Sequence, residues 1–442
     1  VIMNLGLIIT YVVITIYCLS LLLIFFYSLT ILNLSVNYLK NKHQNNEAPK
    51  FNLLDPNEIP YVTVQLPIYN EKYVVPRLLE NIAKLEYPKN KLEIQVLDDS
   101  TDDSVAKPDW LKQTVVYFKD EQIGVVQTRW GHINRNYSLL TKIQALALDT
   151  HFTLEQVGRN SKGHFINFNG TAGIWRKKTI LDAGNWEGDT LTEDLDLSYR
   201  AQLKKWKFKY LEDVETPAEL PVVVSAARSQ QFRWNKGGAE VFRKSVRNIL
   251  ASKNIGWKTK FHGVMHLLNS SMFLYVFIVA ILSVPMMYIK EAYPDLGWVF
   301  KLTSFFIVST VILFGCYWIT YKNIQGKTFD DFVDYVKLFF SFFSVALGFS
   351  LHNVSAVLQG YWGKKTEFVR TPKFNISSLK DSWKGNKYIN KKLSPNMIFE
   401  FLLMCYFLFG LYSGIKLNDF GLFPFHLMLT FGFGFVFYKS LI

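Results

Sequence analysis

Residues 5–34, LGLIITYVVITIYCLSLLLIFFYSLTILNL, run for thirty positions without a charge. A helix needs about 20 apolar residues to cross a bilayer, and a secretory leader has a shorter apolar core with a small-residue cleavage site. The run therefore reads as a tilted spanning helix. Further apolar runs lie at 266–289, 298–320, 336–358, 398–416 and 420–438. Between the first run and the rest comes a long polar stretch with alternating strand and helix patterns. The expected organisation is a spanning helix over 1–36, a soluble α/β domain over 37–225, amphipathic interfacial helices over 226–265, and a membrane region over 266–442.

The excess of 49 Lys+Arg over 36 Asp+Glu, a net charge of +13, could suit nucleic acid. Its location argues instead for membrane lipid head groups, because much of it flanks the apolar runs. Lys40, Lys42 and Lys50 follow the first span and place the soluble domain in the cytoplasm. Segment 360–397 holds nine basic residues against Glu367 and Asp381, so it too is expected on that side. Parity then keeps 336–358 from crossing. Its interruptions by Ser341, Ser344, Ser350, His352, Asn353 and Ser355 fit a helix lying in the interface, which leaves five spans. Cys18, Cys316 and Cys405 all fall in apolar runs and show no pairing or metal spacing.

Within the soluble domain, Tyr61–Pro67 alternates like a strand and runs into Ile68–Tyr69–Asn70–Glu71. A helix from Val75 to Leu85 follows, then a strand from Leu92 to Leu97 ending in Asp98–Asp99–Ser100. Open parallel sheets bind ligands beyond the carboxyl ends of their strands, where Asp98 and Asp99 would stand. A turn or helix cap explains such a pair equally well. Phe168–Asn169–Gly170–Thr171–Ala172–Gly173 has glycines that let backbone approach a ligand. Thr192–Glu193–Asp194 opens a helix, with an N-cap and first-turn acids as the plain reading. Gln230, Arg233 and Trp234 begin a basic stretch that could simply anchor at the interface. His262 and His266 have i,i+4 spacing but no Glu after His262, so they read as structural.

These motifs, in this order and beside apolar helices, resemble a cellulose-synthase-like family-2 glycosyltransferase. The wording of Val125–Trp130 and Phe168–Gly173 is most similar to plant-type glucan and mannan backbone synthases and their bacterial relatives. The resemblance implies a GT-A nucleotide-diphospho-sugar transferase fold with a mostly parallel sheet, in a bacterial inner membrane with the catalytic domain cytoplasmic. It implies Asp194 as catalytic base and donor contacts from Pro67, Tyr69, Glu71, Asp98, Asp99 and Arg233. Asn169, Gly170, Thr171, Gln230 and Trp234 would hold the acceptor. Phe368, Thr371 and Lys373 resemble a gating loop, with Arg370 where bacterial cellulose synthases carry valine. The implied partners are a nucleotide sugar, a glycan or lipid acceptor and membrane lipids, but no nucleic acid, and the implied cofactor is Mg2+ or Mn2+.

UDP-glucose transfer into a β-linked polysaccharide is the leading expectation. A glycolipid synthase, a β-mannan synthase using GDP-mannose and a catalytically dead scaffold are the alternatives. One part is absent. The family's metal-binding Asp-x-Asp should end a strand after Asp98–Asp99, but the only Asp-x-Asp in the soluble domain is Asp194–Leu195–Asp196. Asp102–Asp103–Ser104 is followed within four residues by Pro108. A segment of roughly 50 residues, carrying the motif and its flanking helix and strand, is expected to be missing between Ser104 and Pro108.

Overall fold

The computed structural model describes residues 5–41, 49–67, 75–97, 107–369, 371–383 and 396–441. The chain enters through α1 (Leu5–Asn41). The α/β domain follows as β1 (Val62–Pro67), α2 (Val75–Ala83), β2 (Leu92–Leu97), α3 (Trp110–Val115), β3 (Ile123–His132) and α4 (Leu139–Asp149). It continues with α5 (Gln156–Asn160), β4 (Gly173–Trp175), α6 (Lys177–Asp182), α7 (Glu193–Leu203) and β5 (Lys207–Ala218). The remainder is helical: α8 (Val224–Ala251), α9 (Trp257–Leu267), α10 (Met272–Ala292), α11 (Gly297–Ser304) and α12 (Ile307–Ile324), then α13 (Phe329–Trp362), α14 (Asn396–Lys416) and α15 (Phe423–Leu441).

The strands are mostly parallel, as expected of a GT-A domain, but they form two separate sheets. β1 pairs with β2 in parallel from Val62 opposite Leu92 to Pro67 opposite Leu97. β3 is the centre of the second sheet, parallel to β5 and antiparallel to β4. Val125 and Val126 on β3 are fully buried, whereas Ile94 and Val96 on β2 are 44% and 56% exposed. Parallel strands are usually covered on both faces, and among the described residues this face of the smaller sheet is not.

The expected boundary after residue 36 does not exist as a structural break. α1 continues to Asn41, and its last turns are part of the domain core. Ile31, Leu34 and Tyr38 pack with Val125, Phe152, Leu154, Leu197 and Phe208. Gly158 on α5 meets the Leu34 backbone so closely that a Cβ there would stand 2.5 Å from the Leu34 carbonyl oxygen. Close backbone approach of this kind makes α1 a structural member of the domain as well as a long apolar helix.

Among the described residues, five helical stretches are long and apolar enough to cross a membrane: Leu5–Asn41, Trp257–Ala292, Pro294–Ile324, Phe329–Trp362 and Asn396–Lys416. That set contains α13, expected in the interface, and omits α15, expected to cross. α13 packs both on the domain and on the other long helices. Tyr335 and Phe339 pack on Leu146 of α4, and Val345 and Phe349 pack on Leu140, Ile143, Val224 and Ala227. Asn353 donates to the Gln231 side chain at 2.8 Å, and Gly360 abuts the Lys236 carbonyl. Just before α13, Asn323 donates to Tyr38 Oη, which donates to Glu212 on β5 at 3.0 Å. On its other side Leu347 packs with Phe407, Leu429 and Phe433, and a Cβ at Gly348 would collide with the Gly432 carbonyl oxygen. The helix, about 51 Å long at 1.5 Å per residue, thus runs between the domain and the other long helices. Its ends are fixed by a Thr328–Asp331 capping box and by Gly363 in the left-handed region.

Candidate active site

A cavity of about 1870 Å³ opens between the two sheets, α7, α8 and the segment after α13. Asn169, Gly170, Thr171, Asp194, Gln230, Arg233, Trp234, Phe368 and Lys373 all line it. The structure thus gathers the residues that the sequence scatters over two hundred positions. Pro67 ends β1 beside Leu97. Tyr69, Glu71, Asp98, Asp99 and Arg370, with Asp102, Asp103 and Ser104, lie outside the described residues.

The loop 169–172 turns through Gly170 at φ +76° and Ala172 at φ +59°, with a bridge between Asn169 and Thr171. Its shape is imposed by Gln127, a fully buried amide on β3 that lies in the Val125–Trp130 stretch without a role assigned from sequence. Gln127 Nε2 donates to the carbonyls of Thr171 (3.1 Å) and Ala172 (3.0 Å), and its Oε1 accepts from the Asn169 amide. The clue was a glutamine on a strand otherwise written for the core. A buried amide survives only where its groups are paired. Asn169 Oδ1 in turn accepts from Gln156.

Asp194 is half-buried in the first turn of α7. Its Oδ1 accepts from the Leu195 amide at 2.8 Å. A Cβ added at Gly170 would sit 3.5 Å from Asp194 Oδ2, so the glycine loop and the carboxylate share one wall. Thr192 occupies the N-cap position but makes no side-chain cap. It packs on α8 instead, where a Cβ at Gly237 would come within 2.5 Å of its side chain. This contact sets α7, which carries Asp194, at a fixed distance from the helix that carries Gln230, Arg233 and Trp234. Those three residues, at i, i+3 and i+4, share one face of α8. Arg233 Nη2 donates to Thr371 Oγ1 at 2.8 Å, and its guanidinium lies 4.5 Å from the Phe368 ring centre. Trp234 is partly exposed, with a flat apolar face and an indole N–H suited to a sugar ring.

A divalent ion finds no fitting set among the described residues. The one cluster of three carboxylates, Glu187, Asp189 and Asp196, surrounds the Lys244 ammonium at 2.6, 2.8 and 3.1 Å. Partial burial pulls the Lys244 pKa down, but the three carboxylates outweigh it and raise the pKa above the ordinary lysine value. A cation already fills that position. His262 and His266 play the structural role expected: His262 stacks on His164 at 4.3 Å, and His266 Nδ1 pairs with Tyr199 Oη at 2.8 Å.

Residues 93–237 match the family model described as glycosyltransferase like family 2. Plant proteins align over more of the chain. A probable glucomannan 4-beta-mannosyltransferase 4 of Oryza sativa subsp. japonica is 31% identical over 60% of this chain and 61% of its own length. Both likenesses are to glycosyltransferases. Glucomannan 4-beta-mannosyltransferase 1 of the same rice is 28% identical over 74% of this chain, and glucomannan 4-beta-mannosyltransferase 2 of Arabidopsis thaliana is 29% identical over 76%. The chain spans less than two thirds of the first relative and 72% and 71% of the other two. A solved mannosyltransferase from Pyrobaculum calidifontis, in complex with GDP-Man and Mn2+, overlaps 79% of this chain and all of its own with a TM-score of 0.49 at 13% identity. That overlap is too loose to speak for chemistry.

Proposed function

We propose that the protein is an inverting, processive synthase of a β-linked mannan backbone that draws on GDP-mannose. The observation that carries this reading is the placement of Asp194, the 169–171 loop and the Gln230–Arg233–Trp234 face around one cavity. The mannan alternative replaces the expected UDP-glucose because the relatives that align furthest are named as mannosyltransferases. The acceptor hydroxyl attacks the anomeric carbon from the face opposite the leaving diphosphate. Asp194 takes the hydroxyl proton, and Arg233 meets the charge that develops on the diphosphate.

A second cavity of about 840 Å³ supports a polymer over a lipid product. It shares Arg233, Thr366 and Val369 with the first and continues along Phe232, His352 and Trp383. Aromatic faces and polar groups together suit a chain of pyranose rings. The buried Arg228–Glu400 ion pair ties α8, which lines this path, to α14. The test is incubation of membranes with labelled GDP-mannose and UDP-glucose. Polymer that resists organic extraction and is labelled from GDP-mannose is the expected product. Label from UDP-glucose alone, label in an extractable lipid, or no product would each overturn the reading.

The membrane arrangement that accompanies it has α1, α10, α12, α14 and α15 crossing and α13 lying in the interface. The domain faces the cytoplasm on the strength of the lysines after α1, while plant relatives give no support to a bacterial inner membrane in particular. Leu379 is 72% exposed in the segment after α13. A Leu379→Cys protein should react with impermeant thiol reagents only from the catalytic-domain side. Labelling from the opposite side would make α13 a crossing helix.

A further inference from the structure

Thr366, Phe368, Val369 and Lys373 line the active-site cavity, and a side chain outside every motif above holds their segment there. Glu219 directly follows β5 and is almost wholly buried. Its Oε1 accepts from the backbone amides of Phe374 at 3.0 Å and Ile376 at 3.2 Å. Its Oε2 accepts from Arg77 Nη2 at 3.2 Å. Lys373 Nζ donates to the Glu219 carbonyl at 2.6 Å, and Arg77 Nη1 donates to Asn375 Oδ1 at 2.8 Å. Asn375 stands at φ +59°, and the bend it makes aims two amides two residues apart at a single carboxylate oxygen. Side chains of Ile376 and Phe374 then pack with Val222 and Ala226, which continues the dock onto α8.

This anchor is only two residues from Thr371 and five from Phe368, the two groups set against Arg233. We propose that Glu219, with Arg77 as its counter-ion, is the positioning residue that fixes the gating segment over Arg233. The physical reason is cooperative. Hydrogen bonds to an ionised acceptor are strong, and a buried charge stays put only while its partners are present. Removing either the charge or the guanidinium therefore releases the whole turn rather than one bond. The Thr371 hydroxyl and the Phe368 ring both contact Arg233, and the register of those contacts is set at Glu219.

The proposal rests on the glycosyltransferase reading of the site, but its main test does not need turnover. Lys373 is buried and Lys380 is exposed in the same segment. Trypsin should therefore cut after Lys380 readily and after Lys373 slowly. In Glu219→Gln and in Arg77→Gln, cleavage after Lys373 relative to Lys380 should rise about tenfold or more, since the opening that exposes Lys373 no longer breaks charge-assisted bonds. In an active preparation the same variants should raise donor hydrolysis relative to transfer. A general loss of stability would speed both cleavages together and lower both activities together. Arg77 sits at the surface end of the network, with 23% of its side chain exposed, so Arg77→Gln decides the matter if Glu219→Gln fails to fold. An unchanged Lys373-to-Lys380 ratio in the folded variants overturns the anchor. Altered cleavage with no transfer by the unaltered protein would instead strike at the proposed function and leave the anchor standing.

Discussion

Asp194→Asn lowers turnover by about 10² or more and leaves nucleotide affinity within a few-fold, because general-base catalysis acts on the transition state and not on ground-state binding. The substitution is clean for a structural reason. Asp194 uses Oδ1 to accept from the Leu195 amide at the start of α7, and asparagine keeps an oxygen at that position. The first turn of the helix therefore keeps that hydrogen bond while the acceptor hydroxyl loses its base. The main-chain tie from Ser198 Oγ to the Asp194 carbonyl is untouched as well. Thermal melts of the variant should stay close to those of the parent. The comparison is made on the polypeptide as its own cells make it, with steady-state transfer and equilibrium nucleotide binding measured side by side. Turnover within a few-fold of the parent would remove Asp194 from the role and send the search to Glu193, which lines the same cavity.

What the sequence discloses and what it conceals follow one physical line. The local elements are legible: the strands over 62–67 and 92–97, the helix from Val75 and the helix opened by Thr192 are where period and capping chemistry put them. The face formed by Gln230, Arg233 and Trp234 is legible for the same reason, since i, i+3 and i+4 spacing survives any tertiary context. Contacts between distant segments are not. Nothing in the text of α1 says that its last two turns belong to the core against Leu197 and Phe208, because an apolar face looks the same whether lipid or protein covers it. Thr192 illustrates the limit from the other side. Its residue type suits an N-cap, yet its side chain packs against Gly237, a choice made by the neighbouring helix and invisible locally. Gln127 belongs to the Val125–Trp130 stretch but has no role assigned to it there, and Glu219 lies outside every motif. Each is a polar residue buried at a strand or strand end, and only the loops that fold back onto it reveal its use.

The largest effect expected concerns the gap in the sheet. The 442-residue chain should show transfer at least about 10³ below that of the polypeptide found in its native membranes, because charge stabilisation at the leaving diphosphate is among the largest contributions to such reactions. Three features argue for it together. Among the described residues β1 and β2 pair only with each other, although two strands alone are marginal in water. Val64 and Leu66 of β1 face the same cavity as Trp130, Phe168 and Ile174 beside the other sheet, so the space between the sheets has apolar walls on both sides. Ile94 and Val96 of β2 lie open where a parallel sheet would be covered. The connection that should bridge these parts, from Leu97 to Trp110, has a dozen residues, enough for a single crossover and no more. Two further strands of about 6 residues, two crossover helices of about 11 and their short loops come to roughly 50 residues. Inserted between Ser104 and Pro108, such a segment would give β1 and β2 their missing neighbours and cover Ile94 and Val96. It would also bring a strand end with carboxylates for a divalent ion to a cavity where the described residues offer none that fit. The intact mass of the native polypeptide should then exceed 51.3 kDa by that segment, and restoring it to the shorter chain should restore transfer and metal-dependent nucleotide binding together. A native mass of 51.3 kDa with ordinary turnover would defeat the idea outright, since the two sheets would then work as they stand. The same mass with no turnover would defeat it equally and leave a membrane scaffold that kept the base, the acceptor helix and the gate but lost the means to stabilise the leaving group.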